Sequence, residues 1–166
     1  MLGLLAIIAA LKYTLGKKPY GYQGFGDFSV FIFFGLVSTL GAFFLQTQTL
    51  TWQATWLAVA IGLPIVAVLN LNNIRDMEND VKHGKRTLAS RLGSRNAKVY
   101  HTIILLIPFL IFVLLKSYIP IILLPIFIIH IWIVWHISGK RLDKQMPLLS
   151  LSTLGLALMA AVTFLI

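Results

Sequence analysis

Two carboxylates four residues apart, Asp76 and Asp80, are the pair best spaced in this sequence to do chemistry. They lie in Asn72 to Gly93, NNIRDMENDVKHGKRTLASRLG, a polar island that holds three of the chain's five acidic residues. If the helix leading into the island continues through them, both side chains point the same way about one turn apart. Bare carboxylates would repel, but Arg75, Lys82, Lys85, Arg86, Arg91, Arg95 and Lys98 surround them and add capacity for an anion. Such a set suits a metal-bridged phosphate, because Mg2+ takes one or two protein carboxylates and fills its shell with phosphate oxygens and water. A site of that kind neutralises charge developing on a leaving group. Asn73 shares a helical face with both carboxylates, and Asn72 is one turn from Asp76. With Asn70, these amides in the last turn of an apolar segment point to a bundle interior or cavity.

The elements that carry this island are apolar. Of 166 residues, 58% are hydrophobic and 11% charged, and the mean hydropathy is +0.89. A soluble domain of this length needs far more charge to cover its surface, so the class is a multi-pass membrane protein. The net charge of +9 sits in short loops between apolar runs rather than on one soluble face, which excludes a nucleic-acid binder. The absence of cysteine excludes disulfides and thiolate metal sites. Residues 1–11 lack the basic start and the small-residue cleavage site of a signal peptide.

Residues 1–11 are also too short to span before Lys12 interrupts them, so they read as the second half of a span or as a short re-entrant or interfacial segment. Tyr13 to Asp27 is a loop with four glycines, Pro19, Lys17 and Lys18. Five spans follow: Phe28 to Gln46, Ala54 to Ile74 with Pro64 loosening it, Ala97 to Leu115, Ile119 to Ile137, and Pro147 to Ile166. Gly35, Ser38 and Ala42 are small enough to admit a neighbouring helix. His130 and His136 fall on different helix faces and suit interhelical or interfacial roles rather than a metal pair. The loops at 12–27, 75–98 and 138–145 hold nearly all the Lys and Arg. The positive-inside rule therefore puts those three loops in the cytoplasm and the C-terminus on the outer side. The expected fold is an all-α membrane protein, five transmembrane helices plus a short leading half-helix, forming one membrane domain over residues 1–166.

Two other phosphate motifs do not match. Gly84-Lys85-Arg86-Thr87 echoes the end of a P-loop, but its upstream glycine is absent. The paired motif of the CDP-alcohol phosphotransferases is missing. Instead, N-N-x-R-D-x-x-x-D-x-x-x-G-K-x-T-L-A-x-R-L-G at 72–93, with Y-T-x-G-x-x-P-Y-G-Y-x-G-x-G-D at 13–27, resembles the UbiA superfamily of intramembrane prenyltransferases. Within it, the likeness is to the 1,4-dihydroxy-2-naphthoate polyprenyltransferases of menaquinone synthesis.

The resemblance implies a Mg2+-dependent enzyme of the cell membrane. It would join the prenyl group of a polyprenyl diphosphate to 1,4-dihydroxy-2-naphthoate, with loss of the carboxyl group, giving demethylmenaquinone. It implies that Asp76 and Asp80 are the second aspartate-rich motif, binding Mg2+ on the diphosphate. Tyr13 and Lys17 or Lys18 match the family's tyrosine-and-basic loop near that group. Charge and proximity make Arg75, Lys85 and Arg86 diphosphate clamps, with Asn72 and Asn73 as polar support. The family has about nine helices and a first motif N-D-x-x-D-x-x-x-D that this sequence lacks. The chain therefore reads as the later helices of the bundle, with an N-terminal portion carrying the first motif as a missing partner. The alternatives are a catalytically inactive membrane remnant, or a non-enzymatic multi-pass protein such as a transporter or channel subunit.

Overall fold

A computed structural model describes residues 2–16 and 19–163, and its secondary structure is helical with no strand among the described residues. The leading run forms α1, Leu2–Thr14. A single 3-10 turn, Tyr20–Gln23, follows and closes on Gly24 at φ +86°, a conformation that favours glycine. Helix α2, Gly26–Thr47, is the first span. Its middle, Phe31–Val37, is wound as a π-helix.

Helix α3, Trp52–Arg75, starts on an N-cap in which Thr51 accepts from Ala54 N at 3.1 Å. It runs without interruption through Pro64. A short helix, α4, covers Met77–Lys82. Helix α5, Leu88–Leu114, is capped by Thr87, whose Oγ1 accepts from Ser90 N at 3.2 Å. It contains one break in regular geometry, at Gly93 (φ 76°, ψ 163°). A 3-10 turn at Ile119–Leu123 leads into α6, Leu124–His136. A second, Gly139–Lys144, leads into α7, Gln145–Thr163.

Among the described residues, five helical stretches are long and apolar enough to cross a membrane: Gly26–Thr47, Trp52–Arg75, Leu88–Leu114, Ile119–His136 and Gly139–Val162. This is the all-α membrane fold expected from composition. Helices α3 and α5 form its centre, each half buried along its span, whereas α2 is largely uncovered. Leu71, Leu105, Phe112, Phe127, Leu149 and Leu156 are among its fully buried side chains. The Phe109 and Phe127 rings meet edge to face at 5.3 Å. Where α2 crosses α3, a Cβ on Gly35 or on Gly62 would lie 2.8 Å from the other's Cα, so only glycine permits this approach. Ser38 and Ala42, also expected at a helix contact, are exposed.

Several boundaries differ from expectation; the last span, for one, opens at Gly139 rather than Pro147. Helix α5 begins nine residues before Ala97, because a short charged helical stretch that hydropathy reads as loop precedes the spanning part across the break at Gly93. The helix leading into the island does not continue through both aspartates. It ends at Arg75, Asp76 leaves helical geometry (φ −97°, ψ 7°), and α4 starts at Met77. Short polar side chains crowded at 72–76 compete for backbone hydrogen bonds and weaken the helix there. One bond bridges the break, Asp80 N donating to Asp76 O at 2.8 Å, so the one-turn relation survives.

Candidate functional site

The end of α3 is organised by one guanidinium. Arg75 donates from Nε to Asp76 Oδ1 at 2.9 Å and from Nη2 to Asp76 Oδ2 at 2.5 Å. Its Nη2 also reaches Asn72 Oδ1 at 2.7 Å, and its Nη1 reaches Asp143 Oδ1 at 3.0 Å. The guanidinium thus satisfies four acceptor oxygens on three residues, drawn from two distant segments of the chain. The hydrogen bond from Arg75 pulls the Asp76 carboxyl below its ordinary value of 3.8, burial opposes this, and the charges of Arg75, Lys85 and Lys140 add to the lowering.

Asp80 is buried and pairs with a different cation, Lys85, whose Nζ lies 2.9 Å from Oδ2. Lys85 N also donates to Asp80 O at 2.8 Å, closing the loop through Gly84, which takes φ +75°. The Lys85 ammonium stands 5.9 Å from the centre of the Tyr22 ring. Two bonds tie this loop to the Tyr20–Gln23 turn: Arg86 N to Tyr22 O at 2.9 Å and Arg91 Nη2 to Gln23 O at 2.6 Å. Tyr13 packs under the same turn, its ring 2.9 Å from where a Gly21 Cβ would stand and its hydroxyl 3.2 Å from that of Gly26. Two segments some seventy residues apart therefore form one polar surface around Asp80. On the buried side of α3, Asn73 is 3% exposed and its Oδ1 has no hydrogen-bond partner.

Below this surface an open groove of about 490 Å3 runs between α2, α3 and α7. Val30, Phe34, Ile65, Val68 and Leu69 make it apolar, and Asn72, the residue that holds Arg75, stands at one end of its lining. A polar head with two carboxylates and several cations thus adjoins a hydrocarbon-lined slot.

Residues 1–151 match the model of the UbiA prenyltransferase family. The chain belongs to the UbiA prenyltransferase family. It is 53% identical over 104 residues to a Haemophilus influenzae protein named 1,4-dihydroxy-2-naphthoate octaprenyltransferase, covering 63% of this chain and 34% of that protein. The like-named Escherichia coli protein is 50% identical over 106 residues, 64% of this chain and 34% of its own length. The Mycobacterium tuberculosis protein of the same name is 42% identical over 116 residues, 69% of this chain and 40% of its own length. The chain thus spans about a third of the length of the first two curated relatives. No solved structure matches it. Family membership and five apolar spans make it a multi-pass membrane protein.

Within this UbiA-family chain, the residues singled out from sequence fall into groups. Asn72, Arg75 and Asp76 form one cluster. Asp80 and Lys85 form another, with Tyr22 alongside. Arg86 has an exposed side chain and joins through its backbone N–H. Tyr13 lies against the turn above them, and Lys17 and Lys18 lie outside the described residues.

Sequence reasoning missed Asp143, although a lone acid within GKRLDK was the available signal. It also missed a buried chain across four helices. His101 Nδ1 lies 3.2 Å from Asn70 Oδ1, His101 Nε2 lies 3.1 Å from His130 Nε2, and His130 Nδ1 lies 3.0 Å from Gln145 Oε1. His130 is thus interhelical, as expected, while His136 bonds within its own helix, to Trp132 O. Nothing in the spacing of these four residues along the chain could reveal that they meet.

Proposed function

We propose that this chain carries one half of a prenyl-transfer site and binds a polyprenyl diphosphate across the membrane surface. The supporting observation is the junction of a cation-bound carboxylate pair with an apolar groove at the end of α3. A long hydrocarbon ending in a diphosphate has that same division of chemistry. The donor set fits Mg2+, which takes one or two protein carboxylates and fills its shell with phosphate oxygens: two carboxylates lie one turn apart along the backbone, and a buried amide oxygen on Asn73 has no partner. Asp76 and Asp80 would hold the ion, and when bound it would neutralise charge on the departing diphosphate.

The chain's own residues do the rest. Lys85 and Arg75, each now held by a carboxylate, become free to clamp phosphate oxygens when those carboxylates turn to the ion. Arg86 and Tyr13 line the approach, the family's tyrosine-and-basic loop would add the charge of Lys17 or Lys18, and Asn72 and Asn73 support the polar end of the groove. The prenyl chain lies along Val30, Phe34, Ile65 and Leu69, away from water. The allylic C–O bond then breaks with its electron pair leaving on diphosphate. The electron-rich ring carbon of 1,4-dihydroxy-2-naphthoate forms the new C–C bond, and its carboxylate departs as CO2, giving the hydroquinone form of demethylmenaquinone. Relatives named 1,4-dihydroxy-2-naphthoate octaprenyltransferase support that acceptor.

In this reading residues 1–166 form a single membrane domain of the cell membrane, with the loops at 12–27, 75–98 and 138–145 cytoplasmic and the C-terminus outside. A further portion of the protein supplies the first aspartate-rich motif. The test is prenyl transfer in membranes expressing the complete gene, with Asp76→Asn and Asp80→Asn. Each is expected to reduce the rate at least a hundredfold, the usual scale for losing a charge-stabilising group. Unchanged transfer in both variants sinks the assignment.

A further inference from the structure

We propose that Asp143 is a working residue of this site: it holds the Arg75 guanidinium so that Asp76 can exchange that cation for a divalent metal ion. This rests on reading Asp76 as a metal ligand. In the structure both oxygens of Asp76 are engaged by a single edge of Arg75, at 2.9 and 2.5 Å. A metal ion needs the same lone pairs, and a dication beside a guanidinium is repelled. Arg75 must therefore turn away before Asp76 can coordinate. Asp143 already takes its Nη1 at 3.0 Å, on the side away from Asp76. Rotation of the long Arg75 side chain toward Asp143 keeps that counter-charge on Nη1 as the guanidinium leaves Asp76, and opens its Nε–Nη2 edge to the phosphate oxygens it would clamp.

The position of Asp143 suits this task. Its side chain is 57% exposed, so it has room to follow the guanidinium. Its backbone is nonetheless fixed, because the neighbouring Leu142 is fully buried. Lys98 also pins the end of α6, donating to Trp135 O at 3.3 Å and Ile137 O at 3.1 Å. Asp143 is the one acid among Lys140, Arg141 and Lys144, where a further lysine would have served a simple positive-inside loop.

The test measures metal binding directly, using Mn2+ as a paramagnetic stand-in for Mg2+, on the purified complete gene product in lipid nanodiscs. Asp143→Asn is expected to weaken Mn2+ about fivefold, the worth of one partly exposed ion pair, with Asp143→Glu restoring it. Arg75→Gln is expected to tighten Mn2+ by uncovering Asp76. In the Arg75→Gln background, Asp143→Asn is expected to have no further effect, because its action runs through Arg75. Equal or tighter Mn2+ binding by Asp143→Asn overturns the proposal, as does a fivefold loss that persists without Arg75, which would be plain long-range charge. Asp76→Asn separates the two readings. If it leaves Mn2+ binding unchanged, the metal assignment of Asp76 has failed and this proposal falls with it. If it abolishes binding while Asp143→Asn does nothing, only the role of Asp143 is wrong.

Discussion

Replacing Gly62 by alanine tests the contact that sets α2 against α3. The new Cβ would stand 2.8 Å from Gly35 Cα and 3.2 and 3.3 Å from two carbons of the Phe31 ring. Carbon atoms sit comfortably at about 3.5–4.0 Å, so the helices must part by about 1 Å or Phe31 must leave its rotamer. Overpacking of this size costs about 1–3 kcal/mol. Alanine returns up to about 1 kcal/mol of helix propensity over glycine, leaving a net loss of about 0–2 kcal/mol. Gly41 provides the control, because it lies in the partner span α2 with nothing within 4 Å of its would-be Cβ. Gly41→Ala therefore keeps the propensity gain of about 1 kcal/mol without the clash. The two variants should differ by about 1–3 kcal/mol, which for a chain of this size is a separation of about 5 °C in Tm. Thermal unfolding in detergent, followed by loss of the monodisperse peak on size exclusion, measures it. The reasoning is refuted if Gly62→Ala melts at or above Gly41→Ala. The same parting of α2 from α3 widens the groove between Phe34 and Ile65, so Gly62→Ala should also lower affinity for a hydrocarbon-tailed diphosphate.

Two further outcomes follow from the polar contacts. His101→Phe fills the space but strands Asn70 and His130, and should cost about 1–3 kcal/mol on the same unfolding assay. Adding His130→Phe should cost less than the sum of the two single changes, since both remove the shared bond, and strict additivity would count against the chain. Asp76, held below its ordinary 3.8 by Arg75, keeps its charge above that value and loses it only as pH falls through the lowered one. Its carboxylate infrared band should accordingly persist unchanged from about pH 8 down to about pH 5. In Arg75→Gln its midpoint should rise toward 3.8, and an unmoved midpoint would show that Arg75 is not the main cause.

Much of the scaffold was legible because its cause is local. Nineteen uncharged residues from Phe28 to Gln46 have no stable place in water, and the observed helix, Gly26–Thr47, differs from that run by two residues at one end and one at the other. The carboxylate pair was legible for the same reason, since spacing along a helix translates directly into position. The break at Asp76 was not, because it depends on side-chain competition at one turn. The early start of α5 was not either, since Arg91, Arg95 and Lys98 read as loop by hydropathy although they sit in helical turns on either side of the break at Gly93.

By itself the sequence determined the class, the five spans, the polar island with Asp76 and Asp80, and the family likeness that the family model then matched. Each of these is carried by hydrophobicity or by spacing within one segment. Only the tertiary structure decided which cation each carboxylate holds: Arg75 for Asp76, and Lys85 for Asp80. It also decided that Asp143 reaches Arg75 across 68 positions, and that two histidines on different helices share a bond at 3.1 Å. The physical reason is that a charge or ring nitrogen can satisfy any complementary group within about 3 Å. Its choice among them is made when helices pack, not when the chain is written.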